Sequence, residues 1–201
     1  MFVASVLSNA QKEMRSAFLG GFVGQLVAGS IWVASAAISV FSKPEHGMLF
    51  LFLGCMAIFP LTQLVLRMMG RPAKVHSENG LWALGSQVAF TVPINFLLVG
   101  AVILYRQEWF YPAAMIVVGT HYFPFITLYG MKIYGVLAAL LVLSGLGLAL
   151  YGPPIFSLGG WLTGLLLIIV AFLSRRITLK EEQCLPFLVL LLLETQLFIM
   201  F

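Results

Sequence analysis

His121 sits between Thr120 and Tyr122 in a stretch of otherwise apolar side chains, with Pro124 just beyond it. Histidine titrates near neutrality, so a cavity-facing His121 is equipped to relay protons or to bind an anionic or aromatic solute. Gln87 and Asn95 lie close to one face of a separate apolar stretch, with Pro93 between them, and are expected to line a polar cavity beside the His121 segment. Gln25 stands among small residues, where an interhelical hydrogen bond is its expected role. Packing competes with every one of these readings. A neutral core histidine bonded to Gln87, Asn95 or a carbonyl freed by Pro124 would carry the same residues at the same spacing.

The other polar concentration is Arg67-Met-Met-Gly-Arg-Pro-Ala-Lys74, with His76 and Glu78 close behind. Arg67, Arg71 and Lys74 are candidates to grip lipid headgroups or a phosphorylated ligand, although such loops more commonly set membrane orientation. Catalytic patterns are not visible: there is no HExxH, GxSxG, Walker or paired-acid motif, and the chain contains no aspartate. Cys55 and Cys184 lie in apolar surroundings without CxxC spacing, and read as small hydrophobes rather than as a disulfide or zinc site. No catalytic residue, metal ligand or cofactor is assigned.

These side chains must be carried by elements suited to an apolar solvent. Of 201 residues, 61% are hydrophobic and 9% charged, with a mean hydropathy of +1.04. A soluble domain carries about 25% charged residues to keep its surface wetted. The apolar runs are long and lack the alternation of barrel strands, which predicts an all-α, polytopic transmembrane bundle. A crossing helix needs about 20 apolar residues. Six stretches meet that length, at about 18–41, 48–69, 81–105, 110–130, 133–151 and 155–173, in a single integral membrane domain. A seventh, 184–201, is interrupted by Glu194 and Gln196 and either crosses or lies in the interface. The first fifteen residues suit either a surface amphipathic helix or a partly ordered tail.

With the N-terminus on side A, that side collects nine of the eleven Lys and Arg residues and side B only Lys43 and Arg106. The positive-inside rule then places side A, and the N-terminus, in the cytoplasm. A net charge of +4 arranged at span ends points to lipid and not to nucleic acid. Small residues at four-residue spacing, Gly20, Gly24 and Ala28 on the first span and Gly160 and Gly164 on the sixth, predict close helix packing. Packing within the subunit is the usual use of such a face, and a homo-oligomer is the sharper one.

Glu13-Met-Arg-Ser-Ala-Phe-Leu-Gly-Gly, residues 24–32, Met69-Gly-Arg-Pro72, Tyr105-Arg-Gln-Glu-Trp-Phe110 and Leu128-Tyr-Gly-Met-Lys-Ile-Tyr134 resemble a family of uncharacterised bacterial multi-pass membrane proteins, a domain of unknown function. The resemblance covers about residues 13–139 and implies the bacterial cytoplasmic membrane. It carries no activity and no site residues.

Two functions follow as expectations. One is a transporter-like protein for a small solute, ion or proton, with a polar cavity between the third and fourth spans. The other is a non-catalytic scaffold or sensor that binds a partner protein or lipid. A membrane-embedded enzyme acting on lipid is a weaker third.

Overall fold

The computed structural model describes residues 2–71 and 75–199, with side chains for 5–71 and 75–183. The chain is an all-helical bundle with no strand among the described residues. Its helices are α1 (Phe2–Phe18), α2 (Phe22–Phe41), α3 (Pro44–Met68), α4 (Gly80–Ile103), α5 (Phe110–Tyr129), α6 (Ile133–Tyr151) and α7 (Leu158–Ile199). Five helical segments are long and apolar enough to cross a membrane: Ser5–Phe41, Pro44–Met68, Gly80–Ile103, Ile133–Tyr151 and Leu158–Gln183. The segment expected at 110–130 is α5, which has 20 residues but is diluted by Thr120, His121 and Tyr122. Those polar residues suit its place in the bundle, since α5 is packed against α4 on one side and α6 on the other.

The N-terminal segment is a helix, and it does not run straight into the first span. Leu19, Gly20 and Gly21 form a 3₁₀ turn with φ of 51°, 61° and 83°. Glycine enters this left-handed region without a Cβ penalty, which is why the chain can turn here between α1 and α2. The turn is held from α6 and α7. The Tyr134 hydroxyl donates to the Gly20 carbonyl, and a Cβ on Gly20 would collide with Thr178 Oγ1. Gly20 is therefore part of a turn and not of the helix face on which spacing alone would put it.

Helices α2 and α7 cross closely. A Cβ on Gly29 would sit 2.9 Å from the Gly164 carbonyl, and one on Gly164 would sit 2.9 Å from the Gly29 carbonyl. Gly160 closes on Tyr111 and Ala36, and Ala28 is buried. Gly24 is different, since a Cβ there would meet only Thr62, at 3.6 Å. By contrast α3 and α4 touch each other sparingly. Few α3 side chains are buried, and Leu49, Leu53, Met56 and Phe59 face outward, as do Phe90, Ile94, Leu97 and Leu98 on α4. An apolar exterior of this kind suits contact with lipid.

Helix α7 has 42 residues, about 63 Å by helical rise. A hydrocarbon core is about 30 Å thick, so α7 is about twice as long as a crossing needs. The stretch expected as a seventh segment continues α7 as helix to Ile199, while the side chains of 184–199, Glu194 among them, lie outside the described residues.

Candidate functional site

A cavity of about 220 Å³ lies among α1, α2, α3, α4 and α5. It runs from mid-bundle, at Trp32, Cys55, Val92 and Val118, toward α1, whose Met14 and Phe18 form its floor. Phe59 on α3 and Trp82, Ser86 and Ala89 on α4 line it and are also exposed, so its mouth is the gap between those two helices. Aromatic side chains make much of the wall, with Phe18 stacked on Trp82 at 6.0 Å and Tyr122 close to Phe125 at 5.2 Å. No Lys, Arg or Glu lines it. A charged group would pay heavily to enter such a space without a partner, whereas an apolar group enters it freely.

Polar atoms are few and specifically placed. Thr91 Oγ1 donates to the Val88 carbonyl at 2.7 Å and lies 3.2 Å from His121 Nδ1. With the threonine proton given to Val88, the tautomer that completes the pair carries its proton on Nδ1 and leaves Nε2 as an acceptor. Gln25 is 2% exposed, and its Nε2 has no hydrogen-bond partner among the described residues. Its Oε1 is met only by Ser174 Oγ at 3.4 Å, and that hydroxyl also donates to Ala171 at 2.8 Å. Tyr122 and Tyr129 are buried in the wall. Pro93 removes the N–H that would bond the Ala89 carbonyl, at the cavity's edge.

His121, Tyr122 and Gln25 line one cavity, and that enclosure differs from the expected one in extent and membership. The cavity is not confined to 81–105 and 110–130; it needs α1, α2 and α3 as well. Gln87 and Thr120 are exposed, Asn95 is half-buried, and none of the three lines it. Thr120 instead returns its hydroxyl to the Val117 carbonyl at 2.8 Å. The partner of His121 is Thr91, not Gln87 or Asn95. Thr62, Gln63, Trp32, Trp82 and Tyr129 also line it. Only their depth in apolar stretches marked them, and depth does not tell which way a side chain turns.

Below the floor is a polar layer. Gln11 Nε2 donates to the Thr127 carbonyl at 2.7 Å, and Arg15, 7% exposed, donates to the Tyr129 carbonyl and to Glu181 at 2.8 Å. These are the last carbonyls of α5, which its own helix cannot satisfy. Glu13 accepts from the His76 backbone N–H at 2.7 Å and from Asn79 Nδ2 at 2.8 Å, and these bonds hold its carboxyl below the ordinary value. Arg71 pairs with Glu182 at 3.3 Å, Arg67 is exposed, and Lys74 lies outside the described residues. At the opposite end of the bundle a cleft of about 260 Å³ lies between 106–112 and 148–159. There Arg106 lies over the Trp109 ring at 5.1 Å and has no ion pair with Glu108 among the described residues.

A family of unknown function (DUF7010) matches residues 7–176, a longer span than the sequence motifs alone suggested. No curated protein and no solved structure matches the chain.

Proposed function

Since the chain belongs to that family of unknown function, which lends it no activity, we propose from the cavity itself that the protein is a non-catalytic multi-pass membrane protein that binds a small uncharged amphiphile taken from the lipid and senses it through α1. The observation that carries this reading is a 220 Å³ uncharged cavity with its mouth between α3 and α4 and with α1 as its floor. An apolar cavity of about 150 Å³ accepts benzene, so this one has room for a ring or a short chain. An uncharged solute of that size crosses lipid unaided, which favours sensing over transport. Met14 and Phe18 touch the space, while Gln11, Glu13 and Arg15 on the same helix tie α5, α7 and the segment before α4 together. The orientation that goes with it is a cytoplasmic N-terminus in a bacterial cell membrane, supported by nine cations against two.

The test is thermal unfolding of the purified protein with octanol at a series of concentrations, against the variant Ala89→Phe, which places a ring in the mouth. Octanol is expected to raise the midpoint of the wild type in a saturable way and to leave Ala89→Phe unmoved. Equal responses in the two proteins would count against the reading.

A second reading, a proton or small-solute transporter, is favoured by His121 in the cavity wall. It requires pH-sensitive flux in reconstituted vesicles that His121→Ala removes. Absence of flux in the wild type would eliminate it.

A further inference from the structure

We infer that the molecule bound in this cavity is a neutral alcohol or phenol, its hydroxyl held by His121 and Gln25 and its apolar body between Trp32, Phe59 and Phe125. The inference rests on the binding reading above and adds the chemistry of the head group. The lining offers both kinds of hydrogen-bonding atom without a protein partner. His121 is fixed by Thr91 as an Nδ1 donor, so its Nε2 presents a lone pair. Gln25, at 2% exposure, presents an unpaired N–H. An unmet buried donor carries a desolvation cost, which a ligand oxygen would relieve.

Only some head groups answer both demands. A hydroxyl donates to one atom and accepts from another. An ether or a ketone accepts only and leaves His121 Nε2 unmet. A carboxylate also accepts only and brings a charge, and no Lys or Arg lines the cavity to offset it. The nearest arginine of the floor, Arg15, is already occupied by the Tyr129 carbonyl and Glu181. A quaternary ammonium has no donor and meets no carboxylate here. The hydroxyl is assigned with the Gln25 amide in the orientation seen, Nε2 unpaired; turned over, Nε2 would bond to Ser174 Oγ and Oε1 would compete with His121 Nε2 for the single hydroxyl proton. The phenols of Tyr122 and Tyr129 add two groups able to give or take a bond in the same wall.

Trp32 provides a reporter, because it lines the cavity and is 1% exposed, so a quencher dissolved in bulk lipid does not touch it. The experiment uses the full chain in phosphatidylcholine vesicles with Trp82, Trp109 and Trp161 replaced by Phe. The probes are ω-bromo-octanol, its methyl ether and ω-bromo-octanoate, read by quenching of Trp32. The alcohol is expected to quench saturably and to bind about tenfold more tightly than the ether or the carboxylate, the scale of one or two buried hydrogen bonds. Gln25→Met and His121→Phe keep the volume and remove the polar atoms. Each is expected to weaken the alcohol by about fivefold and leave the ether unchanged. Should either variant fail to fold, the three-probe comparison in the protein that keeps Gln25 and His121 decides alone. Ether or carboxylate binding as tight as the alcohol overturns the hydroxyl assignment while the binding reading stands. Absence of saturable quenching by all three overturns both.

Discussion

Gly24 and Gly29 both lie on α2, and the fold asks different things of them. A Cβ at Gly29 would press on the Gly164 carbonyl and on the Ile168 side chain at 2.8 Å, so there is no room between α2 and α7 even for a methyl group. At Gly24 the same atom would meet Thr62 at ordinary contact distance. Gly29→Ala is accordingly expected to cost about 1–3 kcal/mol, the range for overpacking, in an unfolding titration in detergent. Gly24→Ala is expected to stay within about 0.5 kcal/mol of wild type. The four-residue spacing of small residues announced that some face packs closely, but it singled out Gly24 and passed over Gly29. Spacing identifies a face; only the partner helix decides which position on it has no space. The same limit applied to Gln87 and Asn95. They share a face of α4 with Thr91, four residues from each, and none of the three lines the cavity; the less conspicuous Thr91 is the one bonded to His121.

Among the elements, α1 was the least legible in sequence and is the one most tied to the site. A short charged segment at a chain start reads as a surface helix or a tail, because nothing local reveals that Gln11 and Arg15 will cap another helix. The left-handed turn at 19–21 makes it possible by directing α1 toward the end of α5. Arg15→Met leaves the Tyr129 carbonyl without its charged donor and is expected to weaken α1 docking by about 1.5–3 kcal/mol, visible as faster amide exchange within α1. Gly130, at φ 64°, ends α5 beneath the same two side chains, with Gln11 Oε1 2.6 Å from where a Cβ would stand. Gly130→Ala adds a strained left-handed alanine to that collision, so it too is expected to speed exchange in α1, by at least about 1 kcal/mol of opening energy. Glu13 adds a pH dependence of stated sign. Its folded pKa is lowered by the His76 N–H, so its contribution is present above the unfolded carboxyl value of 4.5 and is lost as pH falls below it toward the folded pKa. Protection of the His76 amide, measured against its intrinsic exchange rate at each pH, is expected to fall on acidification through that window in the wild type, and to show no such step in Glu13→Gln.

For the whole molecule, composition and the lengths of the apolar runs were enough to read an all-helical bundle with helices able to cross a membrane. Five helical segments meet that standard, and α5 falls short for the reason that makes it interesting: it carries the polar residues of the wall. The proposed orientation is open to a direct check. Ser42→Cys, before α3, is expected to react with an impermeant maleimide applied to intact cells, and Ser77→Cys, before α4, only after the membrane is opened. Reversal of that pattern would invert the topology. The account as a whole depends on molecules reaching the cavity between α3 and α4. The most direct measurement is quenching of Trp32, as the sole tryptophan in phosphatidylcholine vesicles, by ω-bromo-octanol before and after Ala89→Phe. Saturable quenching that Ala89→Phe abolishes is the predicted result. Quenching that rises without saturation, identically in both proteins, would contradict it.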